Sequence, residues 1–354
     1  MTIRARHLGL LALLLLVAGI GSLFWLAGHI HRQVKLEAPY VLELAPGSTL
    51  NSVLGQLQRD GLLGNQHQAW RRRLGVRLYD LGSGVSQRLH AGEYRIKPGE
   101  TLLHLLSRLE RGEVLQRSIT IVEGWNLREL RAALNDAVGL RQTLAEVADD
   151  QLMVALGRPP GSAEGWFAAD TWFYTRGDSD VDLLARALAR QEALLEQAWR
   201  SRQAGLPYSD PYDVLIMASI IEKETGVADE RAQIAGVFVE RLRRGMRLQT
   251  DPTVIYGMGE QYQGRIGRQD LLTPTPWNTY VIAGLPPTPI AMPGAKSIAA
   301  AVAPADTDAL YFVARGDGSH VFSRTLEEHN QAVRDYQLRR REDYRSSPAP
   351  VPAP

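Results

Sequence analysis

Cysteine is absent from the 354 residues. That excludes a disulfide framework, a thiolate zinc site, a cysteine nucleophile and a lipoprotein anchor. Charge of one sign is also missing, since 40 Lys and Arg face 39 Asp and Glu for a net charge of +1. A global basic field for nucleic acid is therefore lacking, and no nucleic-acid partner is expected. The eight histidines form no H-E-x-x-H pattern, and neither a phosphate-binding G-x-x-x-x-G-K-[ST] nor a dinucleotide-binding G-x-G-x-x-G occurs. Metal and nucleotide chemistries are therefore weakly supported. With 45% hydrophobic and 22% charged residues, what remains is a folded chain long enough for about two domains.

One uncharged run stands out, the 21 residues from Leu8 to Gly28. At about 1.5 Å per residue it is long enough to cross a hydrocarbon core. Arg4 and Arg6 precede it, Arg32 and Lys35 follow, and Trp25 lies near its outer end. The flanking charges nearly balance. The short head favours a cytoplasmic N-terminus with the bulk of the chain exported. A cleaved signal peptide is the alternative, disfavoured by the length of the run and the lack of an A-x-A site. The expected organisation is a head, span and linker over 1–37, a small subdomain over 38–117, a larger domain over 118–340 and a Pro/Ala-rich tail over 341–354.

The small subdomain repeats a pattern at an offset of 52 residues. Pro46-Gly47-Ser48-Thr49-Leu50 leads into Val53, Leu54, Leu57 and Gly61, and Pro98-Gly99-Glu100-Thr101-Leu102 leads into Leu105, Leu106, Leu109 and Gly112. Each copy reads as a turn, a capped helix with one apolar stripe, and a glycine stop. A weaker third copy runs from Glu123 to Leu134. Strand-like segments at Tyr40–Leu44, Glu93–Ile96 and Ile119–Val122 make the unit β-helix-β. Glu129 to Gln151 and Val181 to Gln203 read as helices.

The stretch from Ser209 to Thr253 carries the chemistry. Asp210-Pro211 starts a helix, which buries Val214, Met217, Ala218 and Ile221 and runs into Glu222-Lys223-Glu224. Glu222 adjoins the apolar stripe, whereas Glu224 lies about 200° further round and faces elsewhere. Desolvation and the negative helix end both oppose ionisation of Glu222, the setting of a general acid. A Glu paired with Lys223 or Arg231 at a helix end is the other reading, and the residues alone leave both open. Arg241, Arg243 and Arg244 read as a solvated basic face. Asp251-Pro252 starts another helix, and Asp251 could be a second carboxylate for glycoside hydrolysis. Asn278 and Tyr280, beside stiff proline-dense loops, are candidate ligand contacts.

Taken together, Ala218-Ser219-Ile220-Ile221-Glu222-Lys223-Glu224-Thr225, Arg247-Leu248-Gln249-Thr250-Asp251-Pro252-Thr253-Val254-Ile255-Tyr256-Gly257, Asn278-Thr279-Tyr280 and Gly284-Leu285-Pro286-Pro287 resemble the endolytic murein transglycosylases of the YceG-like family. The resemblance implies an α+β protein with a membrane anchor, a LysM-like subdomain and a catalytic domain. It also implies cleavage of the MurNAc-β-1,4-GlcNAc bond of peptidoglycan without water and with no metal or organic cofactor, leaving 1,6-anhydro ends, next to peptidoglycan synthases at the inner membrane. It points to Glu222 as catalytic acid, with Ser219, Gln249, Asp251, Asn278 and Tyr280 as further site residues and Ser219 orienting Glu222. A non-catalytic wall-binding scaffold and a muramidase-type hydrolase are the rivals. The chain departs from the family pattern at Ala168-Ala169, at Trp277, where tyrosine is frequent, and at Thr288, where glycine is common.

Overall fold

The computed structural model describes residues 2–338, with the side chains at 2–12, 23, 27 and 338 outside the description. The tail expected over 341–354 lies outside the described residues. The chain divides at Arg117 into two compact units; the first takes back Tyr174–Gly177, and the second holds Ser118–Phe173 and everything from Asp178. The architecture is mixed α and β, with three two-stranded sheets among the described residues.

In the first unit, α1 (Thr2–Ala27) precedes β1 (Tyr40–Leu44), α2 (Leu50–Arg59), α3 (Gln66–Ser83), β2 (Gly92–Ile96) and α4 (Leu102–Arg111). Strands β1 and β2 pair antiparallel, Tyr40 opposite Ile96 and Leu44 opposite Gly92. The repeated sequence pattern becomes repeated structure. Thr49 and Thr101 cap α2 and α4 through their hydroxyls, and α4 ends on left-handed Gly112. The apolar stripes of the two helices, Val53, Leu54 and Leu57 with Leu105, Leu106 and Leu109, share one core with Leu42 and Tyr94. Between the two copies, α3 is an element the pattern did not announce. Its polar sequence QHQAWRRRLGVRLYDLGS shows little apolar periodicity. Among the described residues no helix is long and apolar enough to cross a membrane.

In the second unit, β3 (Arg117–Thr120) pairs with β4 (Thr171–Tyr174). Between them lie α5 (Leu127–Asn135), capped by Asn126 and Glu129, and α6 (Leu152–Ala155). The helix expected over Glu129–Gln151 stops at Asn135. Gly139 turns left-handed, and the following loop is held by side chains: Asp180 accepts from the N–H groups of Thr143 and Leu144. Next come α7 (Asp180–Arg200), α8 (Pro211–Glu224) and α9 (Arg231–Arg243). They are followed by α10 (Asp251–Met258), α11 (Arg268–Leu272) and α12 (Ala295–Val302). An antiparallel hairpin, β5 (Tyr311–Ala314) and β6 (His320–Ser323), then leads to α13 (Leu326–Val333).

Helix α8 is the centre of this unit. Asp210 caps it by accepting from the N–H groups of Tyr212 and Asp213. Every residue from Val214 to Ile221 is buried, packed on α9 and α12 through Ile234, Phe238, Ile298 and Ala301. A helix apolar all round is a core helix rather than an amphipathic one. The single buried stripe expected from the sequence is therefore a cylinder buried all round from Val214 to Ile221, and its first and last turns emerge.

Candidate active site

The last turn of α8 sends two carboxylates in opposite directions. Glu222 turns away from the groove described below. Its side chain is 6% exposed and lies 3.6 Å from the Arg231 guanidinium. Its Oε2 accepts from the N–H of Gly294, the residue that opens α12, at 2.9 Å. Arg231 in turn donates to Ser297 at 3.2 Å. A Cβ on Gly294 would fall 1.9 Å from Glu123 Oε1, so a larger residue there would displace the Glu123 side chain. Burial and the neighbouring Glu222 charge raise the pKa of Glu123. The surroundings of Glu222 are thus a guanidinium and a backbone N–H rather than the dry apolar wall expected, which matches the ion-paired reading left open above.

Glu224, half a turn round, lines a groove of about 670 Å³ between the α8 end, the Leu248–Pro252 segment, Tyr280 and the β5–β6 hairpin with α13. The Thr250 hydroxyl donates to Glu224 Oε1. Burial pushes the Glu224 carboxyl up to about 7; the Thr250 hydrogen bond opposes this and the Asp251 charge adds to it. A half-buried carboxylic acid titrating near neutrality, at the head of an open groove, fits general acid and base chemistry.

The structure sorts the other expected site residues. Asp251, Gln249 and Tyr280 line the same groove as Glu224. The Tyr280 hydroxyl donates to Asp251 Oδ1 at 2.6 Å, and burial first, then Asp251, raises the phenol pKa. Ser219 does not orient Glu222. It is fully buried, donates to Ile216 O at 2.7 Å and accepts from Ile290 N at 3.0 Å. Asn278 is fully buried too, and contacts no ligand space. Its amide donates to the carbonyls of Asp270, Leu271 and Thr273, while its Oδ1 accepts from Tyr280 N. It is the knot that presents Tyr280, because one amide satisfies four backbone groups of a loop with no ladder of its own.

Three buried or groove-side polar residues of this unit escaped the sequence reading. Thr250 was read only as part of a motif. Arg241 was read as solvated, yet it is 7% exposed and donates to Leu310 O, Arg247 O, Leu248 O and Gln249 Oε1. Its spacing carried a signal, four residues after Val237 and three after Phe238 on the buried face. Glu164 is the third: buried, accepting from Leu127 N and the Tyr256 hydroxyl, both at 3.0 Å, and pushed up to about 7 by burial. The two departures at Trp277 and Thr288 meet in space, the indole N–H donating to the threonine hydroxyl at 2.9 Å.

A second cleft, about 580 Å³, lies in the first unit beside Arg95, Glu100 and Arg108. Its Glu100 is ion-paired with Arg108 at 3.0 Å and its Glu113 with Arg111 at 2.7 Å, so both carboxylates there are engaged. Among the described residues no group of three or more His, Asp or Glu could hold a metal ion.

Residues 42–335 match the model of the YceG-like family. An endolytic murein transglycosylase of Bacillus subtilis (strain 168) is 33% identical over 263 residues, which is 70% of this chain and 72% of that protein. One from Streptococcus pneumoniae (strain ATCC BAA-255 / R6) is 26% identical over 284 residues; this chain spans 51% of its length. The crystal structure of a yceG-like protein from Listeria monocytogenes aligns with a TM-score of 0.54 at 26% identity, covering 84% of this chain and 99% of that one. The chain belongs to the YceG-like family. Its relatives from both organisms bear the name endolytic murein transglycosylase.

Proposed function

We propose that this chain is a lytic transglycosylase that cuts peptidoglycan strands internally, at the MurNAc-β-1,4-GlcNAc bond, with Glu224 as its acid and base. The observation that carries the reading is the Glu224 carboxyl, half-buried at the head of a groove and titrating near 7. The family membership and the names of the relatives support the substrate class.

The chemistry balances with one carboxyl. Protonated Glu224 gives its proton to the glycosidic oxygen as the bond from C1 to that oxygen breaks, and the GlcNAc-side strand leaves as an alcohol. The muramic O6 bonds to the same C1, and the Glu224 carboxylate takes the O6 proton. The products are a 1,6-anhydro end and a re-protonated enzyme, with no water consumed. Enforced proximity favours this intramolecular attack over water. Asp251, its Oδ1 engaged by Tyr280, supplies negative charge for the oxocarbenium-like transition state. The role read from sequence for Glu222 passes to Glu224, since only Glu224 reaches the groove.

The anchor, the location and the partners belong to the same proposal. Leu13 to Val17, Ile20 and Phe24 stand exposed on all sides of α1, as on a helix whose partner is lipid. This supports a single span in the inner membrane, an N-terminus in the cytoplasm and a periplasmic catalytic unit, placed to end growing strands beside peptidoglycan synthases.

A muramidase-type hydrolase is the second reading, favoured by Asp251 lying in the same groove as Glu224. Incubating the full chain in detergent with purified sacculi, and reading the products by mass spectrometry, decides between them. Anhydro-muramic ends are expected. Reducing ends would establish hydrolysis, and an absence of products would leave a wall-binding scaffold.

A further inference from the structure

We infer that Gln249 determines substrate specificity, its side-chain N–H donating to the acetamido carbonyl of a sugar in the groove. The inference rests on the reading of that groove as a glycan-cleaving site.

Gln249 holds φ at 51°, the one positive φ of a non-glycine residue among those described. A β-carbon is disfavoured in that region, and glycine would sit there freely. The backbone is pinned in place: Gln249 N donates to Thr279 O at 3.2 Å, and Thr250 N to the Thr279 hydroxyl at 3.0 Å. A strained backbone carrying an exposed side chain into a groove is a pattern of functional sites.

The amide orientation is set from beneath. Gln249 Oε1 accepts from Arg241 Nη1 at 3.3 Å. The reverse flip would aim an NH2 group at a guanidinium, two donors facing each other. Nε2 therefore points away from Arg241, and no group among the described residues takes a hydrogen bond from it. Arg241 itself is buried, and its other bonds end on the carbonyls of Leu310, Arg247 and Leu248. Its charge has no carboxylate partner in the ion pairs of the described residues. That charge polarises the Gln249 amide and sharpens Nε2 as a donor.

The acceptor follows from the electrostatics. Glu224 and Asp251 share the groove and repel an anion. On a peptidoglycan strand the strongest neutral acceptors are the N-acetyl carbonyls; the hydroxyls are weaker and accept equally well from water. Nε2 thus selects N-acetylated sugars over de-N-acetylated ones, whose ammonium groups are donors themselves.

The test uses the full chain with peptide-free glycan strands, native or chemically de-N-acetylated, and variants Q249G and Q249E. Glycine relieves the positive φ, so Q249G should melt at or above the wild-type temperature. Its KM on native strands should rise about tenfold, one hydrogen bond's worth. The preference for native over de-N-acetylated strands should fall by a similar factor, and the pH profile of kcat should stay put. Q249E keeps a bond to Arg241 but loses the donor, and should lose the preference likewise. Either folded variant keeping the wild-type KM and preference would overturn the inference. Wild-type chain that cleaves neither strand would instead overturn the transglycosylase reading.

Discussion

The Tyr280 hydroxyl is bonded to Asp251 Oδ1 at 2.6 Å, which ties the first residue of α10 to the loop after α11. Burial keeps the phenol protonated across the physiological range, so the bond persists. Asp251 in turn raises the pKa of Glu224, while the Thr250 hydroxyl lowers it. Opposite shifts follow. Replacing Asp251 with Asn should move the basic limb of kcat/KM to lower pH. Replacing Thr250 with Val should move it to higher pH. Limbs that shift together, or not at all, would remove Glu224 as the titrating acid.

Glu224→Gln should cut kcat by about 10²-fold or more, the contribution of a positioned acid, while binding to sacculi persists. Glu222→Gln should keep the wild-type pH profile. It should lower stability by about 3–5 kcal/mol in denaturant unfolding, because it leaves the 9%-exposed Arg231 side chain without its pair. A Glu222 variant that folds stably yet releases no product would return the catalytic role to that residue.

Ser219→Ala leaves the buried N–H of Ile290 unpaired. Urea titration should show a loss of about 1–3 kcal/mol. Turnover per folded molecule should match wild type, since the hydroxyl reaches neither Glu224 nor the groove.

Glu164 supplies a pH signature of stability. Its carboxyl titrates at about 7 when folded against 4.5 ordinarily. Below the lower value both states hold the proton. Between the two, only the unfolded chain ionises, so the folded state loses ground as pH rises, by roughly 3 kcal/mol at pH 7. Glu164→Gln removes that loss. The stability of the variant relative to wild type should climb from pH 4.5 to 7 and then level off. A flat difference would mean that Glu164 is ionised in the folded protein.

Local rules made much of the fold readable. Thr49, Thr101, Asn126 and Asp210 cap helices because their short polar side chains reach N–H groups of the first turn. Strands β1 and β2 were readable from Tyr40–Leu44 and Glu93–Ile96 because their alternation is local. Helix α3 was unreadable because its polar face dominates, and the loop after Asn135 was missed because its anchor, Asp180, is distant in sequence. Within the site, Asp251 and Tyr280 were legible from the residues themselves and Gln249 through motif resemblance, whereas Ser219 and Asn278 proved to be buried braces. A polar side chain inside a motif looks the same in sequence whether it faces a ligand or a carbonyl.

The helical repeat by itself determined that Glu222 and Glu224 point roughly opposite ways, since two residues advance a helix by about 200°. Which of them meets the groove was decided only by packing. Helix α8 is buried on every side, so its apolar residues name no preferred face. The choice rests with Arg231 and Gly294, which hold one carboxylate, and with Thr250, which turns the other toward the open side.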